Sequence, residues 1–191
     1  VTPSWPDLER RSGLEIRAEG NRIVGHAIVF DVRSRDLGGF VEVVRPQAID
    51  RSLTGDIVAL YNHDAGQVLG RTPRTLSIRK DERGLAFELD PAPTTAGRDA
   101  LELVRRGDVT GASFGFKTVK DSWSRDGDVT VRTLLDIEIL ELSLTALPMY
   151  QQTDVQMAQR SLQAFQAGQV LPAGRSSIRW LRMRDRTVTK F

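Results

Sequence analysis

Turn-forming residues cut this chain into short runs of apolar and β-branched residues, and that punctuation restricts its folds more than any other feature. Glu19-Gly20-Asn21 separates residues 14 to 18 from residues 22 to 30, and Lys80-Asp81-Glu82-Arg83-Gly84 separates residues 75 to 79 from residues 85 to 89. Asp126-Gly127 stands between a run ending near Trp123 and one starting near Val131. Each break predicts a hairpin, because Gly, Asn and Asp accept the positive φ of tight β-turns. Further strands are expected over residues 40 to 44, 57 to 60, 109 to 119 and 133 to 147, the last ending at Pro148. Helical patterns are fewer. Pro46 suits the first turn of a short helix over residues 47 to 53. Thr94 or Thr95 can cap a helix that runs to Arg106, with Ala100, Leu101 and Val104 on one face and Gly107 at its end. Val155, Ala158, Leu162 and Phe165 give helical spacing over residues 154 to 166, closed by Gly168. The strands do not alternate with helices as parallel βαβ units do. The expected fold is therefore α+β, a mainly antiparallel, barrel-like sheet with peripheral helices.

A chain of 191 residues with 40% apolar content has enough hydrophobic surface for one domain with a real core. That domain is expected over residues 14 to 156, preceded by an extension of residues 1 to 13. It is followed by a helix end and basic tail over residues 157 to 191. From Gln151 to Phe191 there are seven basic residues and two acidic ones, a net +5, which leaves −3 for the first 150 residues. The tail suits solvent or an acidic partner better than nucleic acid, although a nucleic-acid-binding module would show itself by steeply salt-dependent binding through it. No cysteine is present, which removes disulfides, thiolate catalysis and the usual zinc clusters, and two histidines offer little to a metal. Neither metal nor cofactor is expected. No apolar run has the length of a membrane span, and Val1-Thr2-Pro3-Ser4-Trp5-Pro6 lacks the regions of a signal peptide, so a soluble, intracellular protein is expected.

Two stretches carry chemistry. Tyr61-Asn62-His63-Asp64 places one of the two histidines directly after the apolar residues 57 to 60, and Gly111-Ala112-Ser113-Phe114-Gly115-Phe116 sets a lone hydroxyl among glycines and aromatics. A serine is a poor nucleophile until a base takes its proton, and His63 can serve as that base. The pair suggests acyl transfer. The plainer reading makes Asn62-His63-Asp64 a polar turn and Ser113 a packing residue. Phe114 and Phe116 are expected in the core, two apart on one face of a strand. His26 is expected to pack within its strand, and Arg71 to make a surface salt bridge or meet a substrate carbonyl.

Beyond these stretches, Gly25-His26-Ala27-Ile28-Val29-Phe30, Phe40-Val41-Glu42 with Ala48-Ile49, Val68-Leu69-Gly70-Arg71, Gly84-Leu85-Ala86-Phe87-Glu88 and Glu141-Leu142-Ser143-Leu144-Thr145-Ala146-Leu147-Pro148 follow one another along the chain. Together, from about Leu14 to Gln156, they resemble the prohead proteases of tailed bacteriophages, a family related in fold to the herpesvirus assemblins. The resemblance implies a serine endopeptidase of procapsid maturation. Its implied substrates are the scaffold protein or the scaffold-like extension of the major capsid protein, and itself, inside the procapsid in the host bacterium. A homo-oligomer is among the arrangements it allows. His63 and Ser113 match the family's histidine and nucleophile. Assemblins place a second histidine after the serine, and this chain has none there, so the third member falls to Glu141, Asp136 or Glu138, with Glu141 preferred because it opens the Glu-x-Ser block. Oxyanion donors are left open between backbone amides around residues 113 to 115 and a nearby arginine. A catalytically silent capsid-assembly or scaffold-associated protein on the same fold is the competing class, and the source is left open between a phage, a prophage remnant and a phage-derived gene-transfer particle.

Overall fold

The computed structural model describes residues 8–12, 16–146 and 156–168, which form mostly strands with two α-helices. The expected first strand residue, the end at Pro148, the onset of the last helix and the basic tail lie outside the described residues. The chain opens with β1 (Glu9–Ser12), then β2 (Ile16–Glu19) and β3 (Arg22–Val29), which fold back at Gly20 with φ 59°. Next come β4 (Val41–Val44), a 3₁₀ helix over Pro46–Thr54, β5 (Val58–Tyr61) and β6 (Asp64–Arg71). The expected hairpin follows as β7 (Leu76–Lys80) and β8 (Gly84–Leu89), and then α1 (Thr95–Arg106). The Thr94 hydroxyl accepts from Gly97 N–H at its start, and Gly107 ends it at φ 78°, a cap worth about 1 kcal/mol. The strand expected around Ser113 is β9 (Gly111–Asp126), and it turns at Gly127 into β10 (Val129–Thr145). The last element is α2 (Gln156–Gln166).

Two sheets enclose the core. One is the antiparallel order β2-β3-β8-β7, and the other runs β1-β9-β10-β5-β6 with β4 also on β10, curled into a half-barrel. Most pairings are antiparallel, as expected, but the second sheet is mixed, because β4 and β5 both lie parallel to β10. The cause is length: β10 spans 17 residues, and two short strands share one flank of it. β4 covers residues 131 to 134 and β5 covers residues 141 to 144. In the gap between them the Ser52 hydroxyl donates to the carbonyl of Ile137 at 3.1 Å and accepts from the N–H of Ile139 at 2.9 Å. One side chain thus satisfies backbone groups that no strand reaches.

A bulge in that gap decides where the side chains of β10 point. Ile139 pairs with Phe116, yet Glu141 pairs with Gly115, so Leu140 is an extra residue on β10. Phe116 and Gly115 face opposite sides of β9. The core face therefore passes from Ile137 and Ile139 to Leu142 and Leu144, and Glu141, Ser143 and Thr145 turn to the other side. Phe114 and Phe116 are buried on the core face with ring centroids 5.3 Å apart, as expected.

Strand β1 is tied to this sheet by buried charge. Arg132, 2% exposed, donates to Glu9 at 2.6 Å, to Glu42 at 3.0 Å and to Asp121 at 2.7 Å. Arg11 bridges the same two glutamates at 2.9 and 2.8 Å. Burial alone would push the Glu9 carboxyl up, but the bond and charge of Arg132 and the charge of Arg11 hold it below its ordinary value. Removing one partner leaves buried charge without compensation. Arg132→Ala should therefore lower the unfolding free energy by about 3–5 kcal/mol, read as a shift of the denaturant midpoint. A shift worth under about 1 kcal/mol would mean the network does not hold β1 in place.

Helix α2 packs against the far end of β9. Trp123 donates its indole N–H to Ser161 at 2.7 Å, stacks on Phe165 and meets Phe40 edge-on, and Leu37, Ala158 and Leu162 complete this small second core. No helix among the described residues is long and apolar enough to cross a membrane.

Candidate active site

The first site residue is delivered by a two-residue turn. Asn62 and His63 have φ of 50° and 60° between Tyr61 of β5 and Asp64 of β6, the left-handed backbone that a tight hairpin of this hand requires. Asn and His are among the non-glycine residues that adopt it most readily, and residues held in that region cluster at functional sites. The turn is anchored where Asn62 N–H donates to the carbonyl of Leu144 at 3.0 Å. Asp64 fixes its exit by accepting from Gly66 N–H and the Gln67 amide.

From that turn the imidazole reaches across β5 to β10, where His63 Nδ1 and Glu141 Oε1 are 2.7 Å apart. Glu141 is 5% exposed, whereas a quarter of the His63 side chain remains open. Gly115, opposite Glu141 on β9, makes the room. A Cβ there would lie 2.5 Å from Glu141 Cγ and 2.7 Å from its Oε1, so the carboxylate occupies the space that glycine leaves empty. Because Gly115 has no positive φ, space alone requires it. Gly115→Ala should leave the sheet folded but push Glu141 off His63, and activity should fall roughly 100-fold, the usual cost of a misplacement near 1 Å. Unchanged turnover in that variant would detach Glu141 from the chemistry.

On the other side of Gly115, Arg10 of β1 donates from Nε to the same Glu141 oxygen at 2.9 Å. Burial pushes the Glu141 carboxyl up, but the hydrogen bond and charge of His63, then those of Arg10, outweigh it and hold the group below its ordinary value. Glu141 is thus ionised throughout the neutral range. Sequence reasoning missed Arg10, because Leu8-Glu9-Arg10-Arg11-Ser12 has no strand-like alternation and reaches the site only through pairing with β9.

Ser113 lies two residues from Gly115 on the same face, buried to 3%. Its hydroxyl donates to the carbonyl of Arg11 at 3.0 Å and makes no hydrogen bond to His63. The structure thus joins His63 to Glu141, and Ser113 lies two residues along β9 from the glycine opposite that acid, with its hydroxyl turned to Arg11. β9 is paired on both sides at residues 113 to 115, with β1 and with β10, so its backbone there faces neighbouring strands. Asp136 and Glu138, the other acids considered, lie elsewhere: Asp136 is held by Arg51 at 3.0 and 2.7 Å, and Glu138 is exposed opposite Lys117. Arg71 forms a surface bridge with Asp56 at 2.5 Å. His26 keeps 19% of its side chain exposed within β3, and to the packing expected of it the structure adds a polar contact, Nε2 to Asp81 at 3.0 Å. Among the described residues no group of three or more His, Cys, Asp or Glu could hold a metal ion.

An ionised acid on a histidine beside a serine is the arrangement that raises a hydroxyl to a nucleophile. In comparison with known proteins, the family model described as caudovirus prohead serine protease matches residues 7–167. No curated protein and no solved structure matches the chain.

Proposed function

From a chain that belongs to the caudovirus prohead serine protease family, we propose a serine endopeptidase that cleaves the scaffold protein or the scaffold-like extension of the major capsid protein, and itself, inside the procapsid in the host cell. The observation that carries this reading is the 2.7 Å contact between His63 and the buried Glu141, formed over the strand that bears Ser113. The fold proposed for it is that of the herpesvirus assemblins, with the carboxylate of Glu141 in the place of their second histidine.

In the proposed reaction the Ser113 hydroxyl turns from the Arg11 carbonyl toward His63. The free imidazole nitrogen takes its proton as Oγ attacks the scissile carbonyl, and later gives that proton to the leaving amine. Glu141 holds the Nδ1–H tautomer and stabilises the imidazolium while remaining ionised. The oxyanion needs donors worth about 3 kcal/mol each. Co-expression with the capsid and scaffold proteins of the same particle tests the function. Shortened capsid or scaffold chains, with fixed new termini by mass spectrometry, are expected. Full-length chains alone would favour a catalytically silent assembly protein on the same fold.

A further inference from the structure

The Ser143 hydroxyl is fully buried and has no hydrogen-bond partner. Leaving such a group unmatched is costly, which is why nearly all buried hydroxyls in folded proteins are paired. Ser143 sits directly opposite Ser113 on β9, and two residues after Glu141 on the face that the Leu140 bulge turns away from the core. Side chains directly opposite in an antiparallel pair have Cβ atoms about 5 Å apart, so two serine hydroxyls there meet on a change of rotamer. The Ser113 hydroxyl is at present turned the other way, toward β1 and the Arg11 carbonyl. Glu141 precedes Ser143 by two residues on β10, and its carboxylate reaches over Gly115, two residues along β9 from Ser113. A Ser113 hydroxyl that leaves the Arg11 carbonyl on the β1 side turns toward β10, where Ser143 stands opposite it.

We infer that Ser143 is a positioning residue for the reaction. Its hydroxyl donates to Ser113 Oγ once that oxygen leaves the Arg11 carbonyl, and so holds the nucleophile in line with the free nitrogen of His63. This also supplies the partner that Ser143 lacks in the resting arrangement. Thr145 offers an internal control, because its buried hydroxyl is equally unpartnered but faces Gly111, where no side chain can answer it. The inference rests on Ser113 being the nucleophile.

The test is the rate at which diisopropyl fluorophosphate inactivates the full chain, with the adduct located by peptide mapping. The reagent forms a bond from serine Oγ to phosphorus, fluoride leaves, and the hydroxyl proton goes to the base. Ser143→Ala should react roughly 10- to 100-fold more slowly, as loss of one well-placed hydrogen bond implies. Its thermal midpoint should be unchanged or higher, because an unmatched hydroxyl has been removed. A merely structural serine would instead lose rate only with stability. Ser143→Thr and Ser143→Val are matched in shape, so the threonine variant should react at least 10-fold faster than the valine variant even if alanine does not fold. Thr145→Val should react like the wild type. Equal rates for the threonine and valine variants, or wild-type rate in Ser143→Ala, would overturn the role of Ser143 while leaving an adduct on Ser113 and the proposed function intact. A wild-type adduct elsewhere, or none, would overturn both.

Discussion

Ser113→Ala and His63→Ala are each expected to abolish cleavage of capsid and scaffold precursors while the protein stays folded. Either change removes half of the proposed proton-transfer pair, and members of such a unit act together, so each single loss should match the double variant within a few-fold. The fold should survive, because Ser113 contributes one hydrogen bond to a carbonyl of β1 and His63 lies in a turn with a quarter of its side chain exposed. The check is precursor length on gels after co-expression, beside circular dichroism of each purified variant. A folded Ser113→Ala protein that still processes its substrate would remove the serine from the mechanism. His26→Phe serves as the histidine control, and activity is expected to persist in it, because its Asp81 contact lies in the other sheet.

Glu141→Gln should lower the cleavage rate by roughly two to four orders of magnitude. The amide keeps the shape that Gly115 accommodates and an oxygen that can accept from His63, but it lacks the charge that stabilises an imidazolium. Asp136→Asn and Glu138→Gln should stay within a few-fold of wild type, since one is held by Arg51 and the other is exposed. Initial rates on one substrate preparation decide between them. A severe Asp136→Asn with a mild Glu141→Gln would mean that the bulge at Leu140 does not set the face that matters.

That bulge also marks the limit of what the residues alone disclose. Period-two alternation in a regular strand would put Ile137, Ile139, Glu141 and Ser143 on one side, and only the pairing with β9 shows that Leu140 reverses it. Elements with strong local chemistry were legible. Thr94 and Gly107 bound α1 where capping requires, and Gly20 and Gly127 turn the chain where positive φ is needed. Phe114 and Phe116 fall in the core by simple alternation. Elements defined by distant partners were not. β6 carries only Val68 and Leu69 as large apolar residues, because an edge strand buries little, and so it was not anticipated. β9 and β10 run on as strands through residues 120 to 126 and 129 to 133, where their mutual pairing overrides a polar composition. The segment expected as a helix after Pro46 closes as 3₁₀. The contact of His63 with Glu141 spans 78 residues and that of Arg10 with Glu141 spans 131, separations at which local pattern carries no signal.

Ser113 is proposed here as the nucleophile, activated by His63 on Glu141. That role is tested most directly by locating the covalent adduct after reaction of the purified chain with diisopropyl fluorophosphate. One phosphoryl group is expected, on the peptide that contains Ser113, and none on the His63→Ala protein under the same conditions. An adduct on another residue, or equal labelling of Ser113 without His63, would contradict it.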